Sequence, residues 1–201
     1  MVDFFVQGGG FMWPILIALL FGLAVIGERA YSLLNSSSNT DQFFEDVKTT
    51  YDDSGKEQAI ELCENTPGPV ASIFYAGLSK MGNAKEEIEK AVQNAGGLEM
   101  AFLEKNMIWI NSVITIAPML GFTGTVVGMI KAFEDIKMAN DISPAVVAGG
   151  ISQALLTTAF GLIVAMIMQV AQNFFVSMID KLILDMEEQS IKIVEYLHSS
   201  K

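Results

Sequence analysis

The 36 residues from Pro144 to Ile179, PAVVAGGISQALLTTAFGLIVAMIMQVAQNFFVSMI, contain no Asp, Glu, Lys, Arg or His. As one helix this run would measure ~54 Å, against a bilayer hydrocarbon core of ~30 Å, so it can cross a membrane and still project from it. Gly149, Gly150, Gln153, Thr157, Thr158 and Gly161 interrupt its large apolar residues. Glycines, hydroxyls and a carboxamide inside a span call for a protein neighbour or a water-filled path on that side.

Composition agrees with a membrane protein. Only 17% of the 201 residues are charged and 51% are hydrophobic, where a soluble domain has about a quarter charged. The net charge of −11 and the lack of a basic patch exclude a nucleic-acid binder. One Cys and one His leave neither an internal disulfide nor a metal cluster, and no cofactor motif is present. Cys63 reads as a small apolar filler on a reduced, cytoplasmic helix, and His198 has no assigned role.

Two more apolar stretches precede Pro144. Phe4 to Gly27 is free of charge and ends at Glu28 and Arg29, with Trp13 and Tyr31 at interface positions and Pro14 suited to a first helical turn. Residues 1–10 have Asp3, no basic residue and no small-residue cleavage site, so the first span is expected to be retained. Asn106 to Ile130 is also uncharged. The expected layout is an all-α membrane protein: an N-terminal segment 1–10, spans over 11–30, 106–130 and 144–179, a polar helical domain over 31–105, a short loop over 131–143, and a C-terminal helix over 180–201.

Within 31–105, Phe43, Phe44, Val47 and Tyr51 recur at helical spacing, as do Ala59, Ile60 and Leu62, and TPGP at Thr66–Pro69 breaks the chain. Past Ile179, the residues Leu182, Ile183, Met186, Ile193 and Leu197 continue an amphipathic pattern, so span three is expected to emerge as a long helix. Seven basic residues lie between Arg29 and Lys105 and three in the tail, against two in the short loop and none before span one. This distribution puts the N-terminus and the short loop outside, and the large domain and C-terminus in the cytoplasm.

On a helical wheel Gly150, Gln153, Ala154, Thr157, Thr158, Gly161 and Ala165 fall within ~140°, with Val164 intruding. In span two Pro118, Gly121, Gly124, Thr125 and Gly128 fall within ~120°. One reading is plain helix packing, with small residues letting backbones approach. The other is a polar path or partner-helix cradle lined by Thr125, Thr157, Thr158 and Gln153. No span carries a titratable residue, so a proton relay would need an acid from a second subunit.

APMLGFTGTVVGMIKAF (Ala117–Phe133) followed by GGISQALLTTAFGLIVA (Gly149–Ala165) resembles the paired signatures of the MotA/TolQ/ExbB proton-channel family, and the three-span layout resembles its ExbB/TolQ branch. The two motifs cover about a sixth of the chain. The resemblance implies a ring-forming oligomer, a pentamer, in the inner membrane of Gram-negative bacteria. It also implies an ExbD/TolR-like single-span partner that carries a membrane Asp, and a TonB/TolA-like protein that passes proton-driven movement to the outer membrane.

By position, Thr125 and Thr158 match the family's pore-facing threonines, and Pro118, Gly121 and Gly124 its packing signature; Gly128, Gly150 and Gly161 join them as packing or partner-helix positions. Two positions depart from the pattern. Gln153 stands where relatives commonly have an acid, and a carboxamide cannot exchange a proton at physiological pH. Ile167 replaces a family proline, so a straighter helix is expected there. The alternatives are a TolQ-like envelope-maintenance motor, a motility motor, or a passive scaffold ring. GFTGTVVG lacks a phosphate-loop Lys and lies within a span, which argues against an enzyme.

Overall fold

The computed structural model describes residues 2–36, 40–139 and 144–199. The described residues form eight helices: α1 (Val2–Gln7), α2 (Met12–Ser36), α3 (Thr40–Ser54), α4 (Lys56–Asn65), α5 (Pro69–Ser79), α6 (Lys85–Leu103), α7 (Met107–Ala139) and α8 (Pro144–Ser199). No strand occurs among them. Three helical stretches, within Met12–Ser36, Lys85–Met138 and Ala148–Ser199, are long and apolar enough to cross a membrane.

Helix ends follow local chemistry. Gly8–Gly10 separates α1 from α2, and Gly9 has a φ of 71°, a conformation open to glycine at little cost. Pro69 opens α5 directly after Gly68 (φ 131°), because a proline's missing N–H is harmless in a first turn. The break between α6 and α7 falls at Asn106, the one non-glycine described residue with positive φ, at 66°. Asparagine tolerates that left-handed geometry better than most residues. α7 continues through 131–139, so Lys131, Glu134, Asp135 and Lys137 occupy its last turns; Asp141 lies outside the described residues.

The chain forms two compact units, one of Met1–Glu28 with Asn106–Phe174 and the other of Arg29–Lys105 with Phe175–Lys201. The first is a bundle of apolar helices. Gly22 of α2 lies against Met168 of α8 and Val113 of α7, so all three spans meet there. Its outward-facing side chains are large and apolar, including Ile17, Leu20, Phe122, Leu155 and Val170. Such a surface suits lipid rather than water.

The second unit has a water-soluble type of core. Phe43 and Val47 of α3, Ala59 and Cys63 of α4, Ile73, Phe74 and Leu78 of α5, and Ile88 and Val92 of α6 are buried. They pack with Ile179, Leu182, Met186, Ile193 and Leu197, the amphipathic stripe of α8, into one core of this unit. Phe43 stacks on Phe74 with centroids 5.5 Å apart. Gly77 lets α5 approach Val92, Leu197 and Ile193. Cys63 is buried, and burial pushes its thiol up to about 12.

Candidate ion-pathway site

The glycine faces of spans two and three meet each other. A Cβ on Gly121 would lie 2.8 Å from the Thr157 carbonyl oxygen and 3.0 Å from the Thr158 Cα. On Gly124 it would lie 2.5 Å from Thr157 Oγ1, on Gly128 3.1 Å from Ala154 Cβ, and on Gly161 2.5 Å from the Ala117 carbonyl oxygen. On Gly150 it would overlap the Ala132 methyl. As the α7 partner rises from Ala117 to Ala132, the α8 partner falls from Gly161 to Gly150. α7 and α8 are therefore antiparallel, and their backbones approach as closely as small residues permit.

Thr157 sits inside this seam at 1% exposure. Its hydroxyl donates to the Ala154 carbonyl at 2.7 Å and also lies 3.2 Å from the Gly121 carbonyl. Thr158, half-buried at the edge of the seam, donates to the same Gly121 carbonyl at 3.2 Å. The Gly121 carbonyl thus receives hydroxyls from the facing helix. Pro118 lies in the interior of α7, where its ring supplies no N–H to the ladder. Val164, the large residue on this face, is buried as well.

Thr125 is half-buried and donates to the Phe122 carbonyl at 2.6 Å, within its own helix. At ~100° per residue in two antiparallel helices, Thr125, Pro118 and Thr158 lie on one flank of the α7–α8 pair. Gln153 lies on the other flank, ~140° around α8 from Thr158. That second flank is where α2 and the N-terminal turn sit. Val113 meets Gly22 there, and the Gln153 carboxamide lies against Gly9. The four polar residues therefore separate, with Thr157 in the seam, Thr125 and Thr158 on the flank away from α2, and Gln153 under the chain's own N-terminal turn.

Three polar features were not evident from the sequence. Arg29 is buried at 1% exposure, and its guanidinium reaches the Phe102 and Leu103 carbonyls, at 3.5 and 3.4 Å, at the end of α6. The Phe102 carbonyl also accepts the Lys105 N–H at 3.2 Å, and a cation at this helix end adds a donor to carbonyls of the last turn. Asn106 donates to Glu28 at 3.2 Å. In the second unit Gln189, also 1% exposed, donates to Asp41 at 2.8 Å, and Lys192 pairs with the same carboxylate at 2.7 Å. The hydrogen bonds from Lys192, then Gln189, hold the Asp41 carboxyl below its ordinary 3.8. Those to Asp41 and Glu188 raise the Lys192 ammonium above 10.5. Among the described residues no group of three His, Cys, Asp or Glu could hold a metal ion.

The fold and the seam define a polytopic α-helical membrane protein whose paired spans are packed through glycines and lined by hydroxyls, with no ionisable side chain between Met107 and Ile130 or between Ala148 and Ile179. The chain belongs to the MotA/TolQ/ExbB proton channel family, whose pattern it matches over residues 65–188. That is a transport family and not an enzymatic one.

Similar proteins come from distant organisms. A Synechocystis protein provisionally named biopolymer transport protein ExbB-like 3 is 30% identical over 173 residues, covering 85% of this chain and 82% of that one. An ExbB homolog of Methanothermobacter thermautotrophicus is 28% identical over 180 residues, but the match spans only 64% of its length. The Tol-Pal system protein TolQ of Pseudomonas aeruginosa is 28% identical over 117 residues, covering 53% of this chain and 51% of that one.

Proposed function

We propose that this chain is an ExbB-like subunit of an inner-membrane, proton-driven motor. In this reading it forms a homopentamer around an ExbD/TolR-like single-span partner and energises outer-membrane transport through a TonB-like protein. The observation that carries the reading is the flank of the α7–α8 pair away from α2. It bears two hydroxyls, Thr125 and Thr158, and no ionisable group. A wall of this kind can hydrogen-bond and solvate a proton carrier but cannot be one.

The missing acid is then supplied by the partner helix, which lies along that flank. Bringing an aspartate into the membrane is costly unless polar groups face it, and Thr125 and Thr158 are placed to do so. Thr157 and the glycines hold the two spans rigidly enough that the flank keeps its shape. The orientation that follows from the Lys and Arg distribution has the N-terminus in the periplasm and the second unit in the cytoplasm.

Thr158→Val keeps the shape of the side chain and removes the hydroxyl. In cells it should abolish energised outer-membrane uptake while the oligomer still assembles. Normal uptake would defeat the motor reading and leave a passive ring, in which only the glycine seam matters. A TolQ-like role in envelope maintenance uses the same site and is distinguished by which process fails in a deletion strain, nutrient uptake or envelope integrity.

A further inference from the structure

Gln153 stands apart from the other polar residues of span three. Its carboxamide nitrogen lies against Gly9, where a side chain would have to displace the carboxamide from its place. Gly9 also has a φ of 71°, so its backbone conformation favours glycine and its bare Cα leaves the carboxamide its place. The turn is stitched by Gly8 N–H to the Phe4 carbonyl at 2.9 Å, Gly9 N–H to Val6 at 3.3 Å, and Met12 N–H to Gly9 at 3.2 Å. Met12, at the head of α2, is buried, and Phe5 packs edge-on to Trp13 with centroids 5.4 Å apart. The neighbouring Gly10 differs, since a Cβ there would meet nothing within 4 Å.

We propose that Gln153 is the seat of the N-terminal turn Gly8–Gly10, a positioning residue that fixes the head of span one to span three, and that it takes no part in ion passage. A carboxamide suits this place because it keeps the length of an acidic side chain without bringing a charge against an apolar turn. The flank it occupies is covered by the chain's own N-terminus. Thr158, ~140° away around the helix, keeps the uncovered flank.

The test does not depend on motor activity, so its failure is distinct from failure of the motor reading. A spin label is placed at Val6→Cys, an exposed site on α1, in the full-length chain carrying Cys63→Ala, reconstituted in lipid. The parent should give a restricted spectrum. Gly9→Val and Gln153→Leu should each convert it to a mobile one, whereas Gly10→Ala should leave it restricted. Circular dichroism and oligomer size should be unchanged throughout. A label that stays restricted in either Gly9→Val or Gln153→Leu, or that Gly10→Ala frees equally, would overturn the assignment.

Discussion

Gly161→Ala probes the α7–α8 seam at its tightest backbone contact. The added methyl would sit 2.5 Å from the Ala117 carbonyl oxygen, 3.2 Å from its carbon and 3.3 Å from the Gly121 Cα, where ordinary contact begins at 3.4 Å. Both nearest atoms are backbone, so no rotamer change relieves the overlap, and the helices must part locally by about 0.9 Å. Overpacking of this kind costs about 1–3 kcal/mol. Separation also stretches the hydroxyl contacts of Thr157 and Thr158 to the Gly121 carbonyl, already 3.2 Å long, each worth about 0.6 kcal/mol in a membrane. Replacing glycine in a helix returns up to ~1 kcal/mol of backbone entropy, leaving a net loss of about 1–3 kcal/mol. Gly149→Ala, with nothing within 4 Å, has only the gain. Reversible unfolding in mixed micelles compares the two variants. If Gly161→Ala is as stable as Gly149→Ala, the close seam is wrong.

Other expectations are simpler to read out. Arg29→Met should lower the stability of the second unit by about 1–3 kcal/mol, because the Phe102 and Leu103 carbonyls lose their buried donor; the thermal midpoint measures it. The Asp41 carboxyl is depressed in the folded state, so its contribution is complete above its ordinary 3.8 and is lost as pH falls through the folded value. Lys192 is raised, so its contribution is present below 10.5 and is lost as pH rises through its folded value. Asp41→Asn should flatten both limbs of a plot of midpoint against pH. Cys63, with its thiol pushed up to about 12 and buried, should resist maleimide at pH 7.5 and react once the chain is denatured.

The membrane-spanning part of this fold was legible because the bilayer imposes long uncharged runs, and Pro144–Ile179 could hardly be anything else. The glycine faces were legible for a related reason. A face of Gly121, Gly124 and Gly128 calls for close approach by a neighbouring helix, and the structure matches it to Ala154, Thr157 and Thr158 of α8. Alternation of apolar residues also revealed the stripe on α8, of which Ile179, Leu182, Met186, Ile193 and Leu197 are buried.

The polar pairings were not legible. Arg29 read as the charged stop of span one, since nothing in the sequence shows that carbonyls 73 and 74 residues away need a donor. Gln189 occupies the next place in the α8 stripe, and its polarity hid its burial beside Asp41, 148 residues away. Gln153 and Thr158 shared one wide arc on the wheel, yet they fall on opposite flanks of the α7–α8 pair. A wheel gives direction around one helix and does not show which neighbours cover each edge.

In the proposed motor, the flank carrying Thr125 and Thr158 faces an acid-bearing helix of a partner. An image of the purified complex of this chain with its single-span partner, at side-chain resolution, tests it most directly. Foreign helix density is expected along Thr125 and Thr158 with a carboxylate at their level, and the chain's own N-terminal turn over Gln153. A partner helix lying instead against Gln153, or lipid filling the threonine flank, would contradict it.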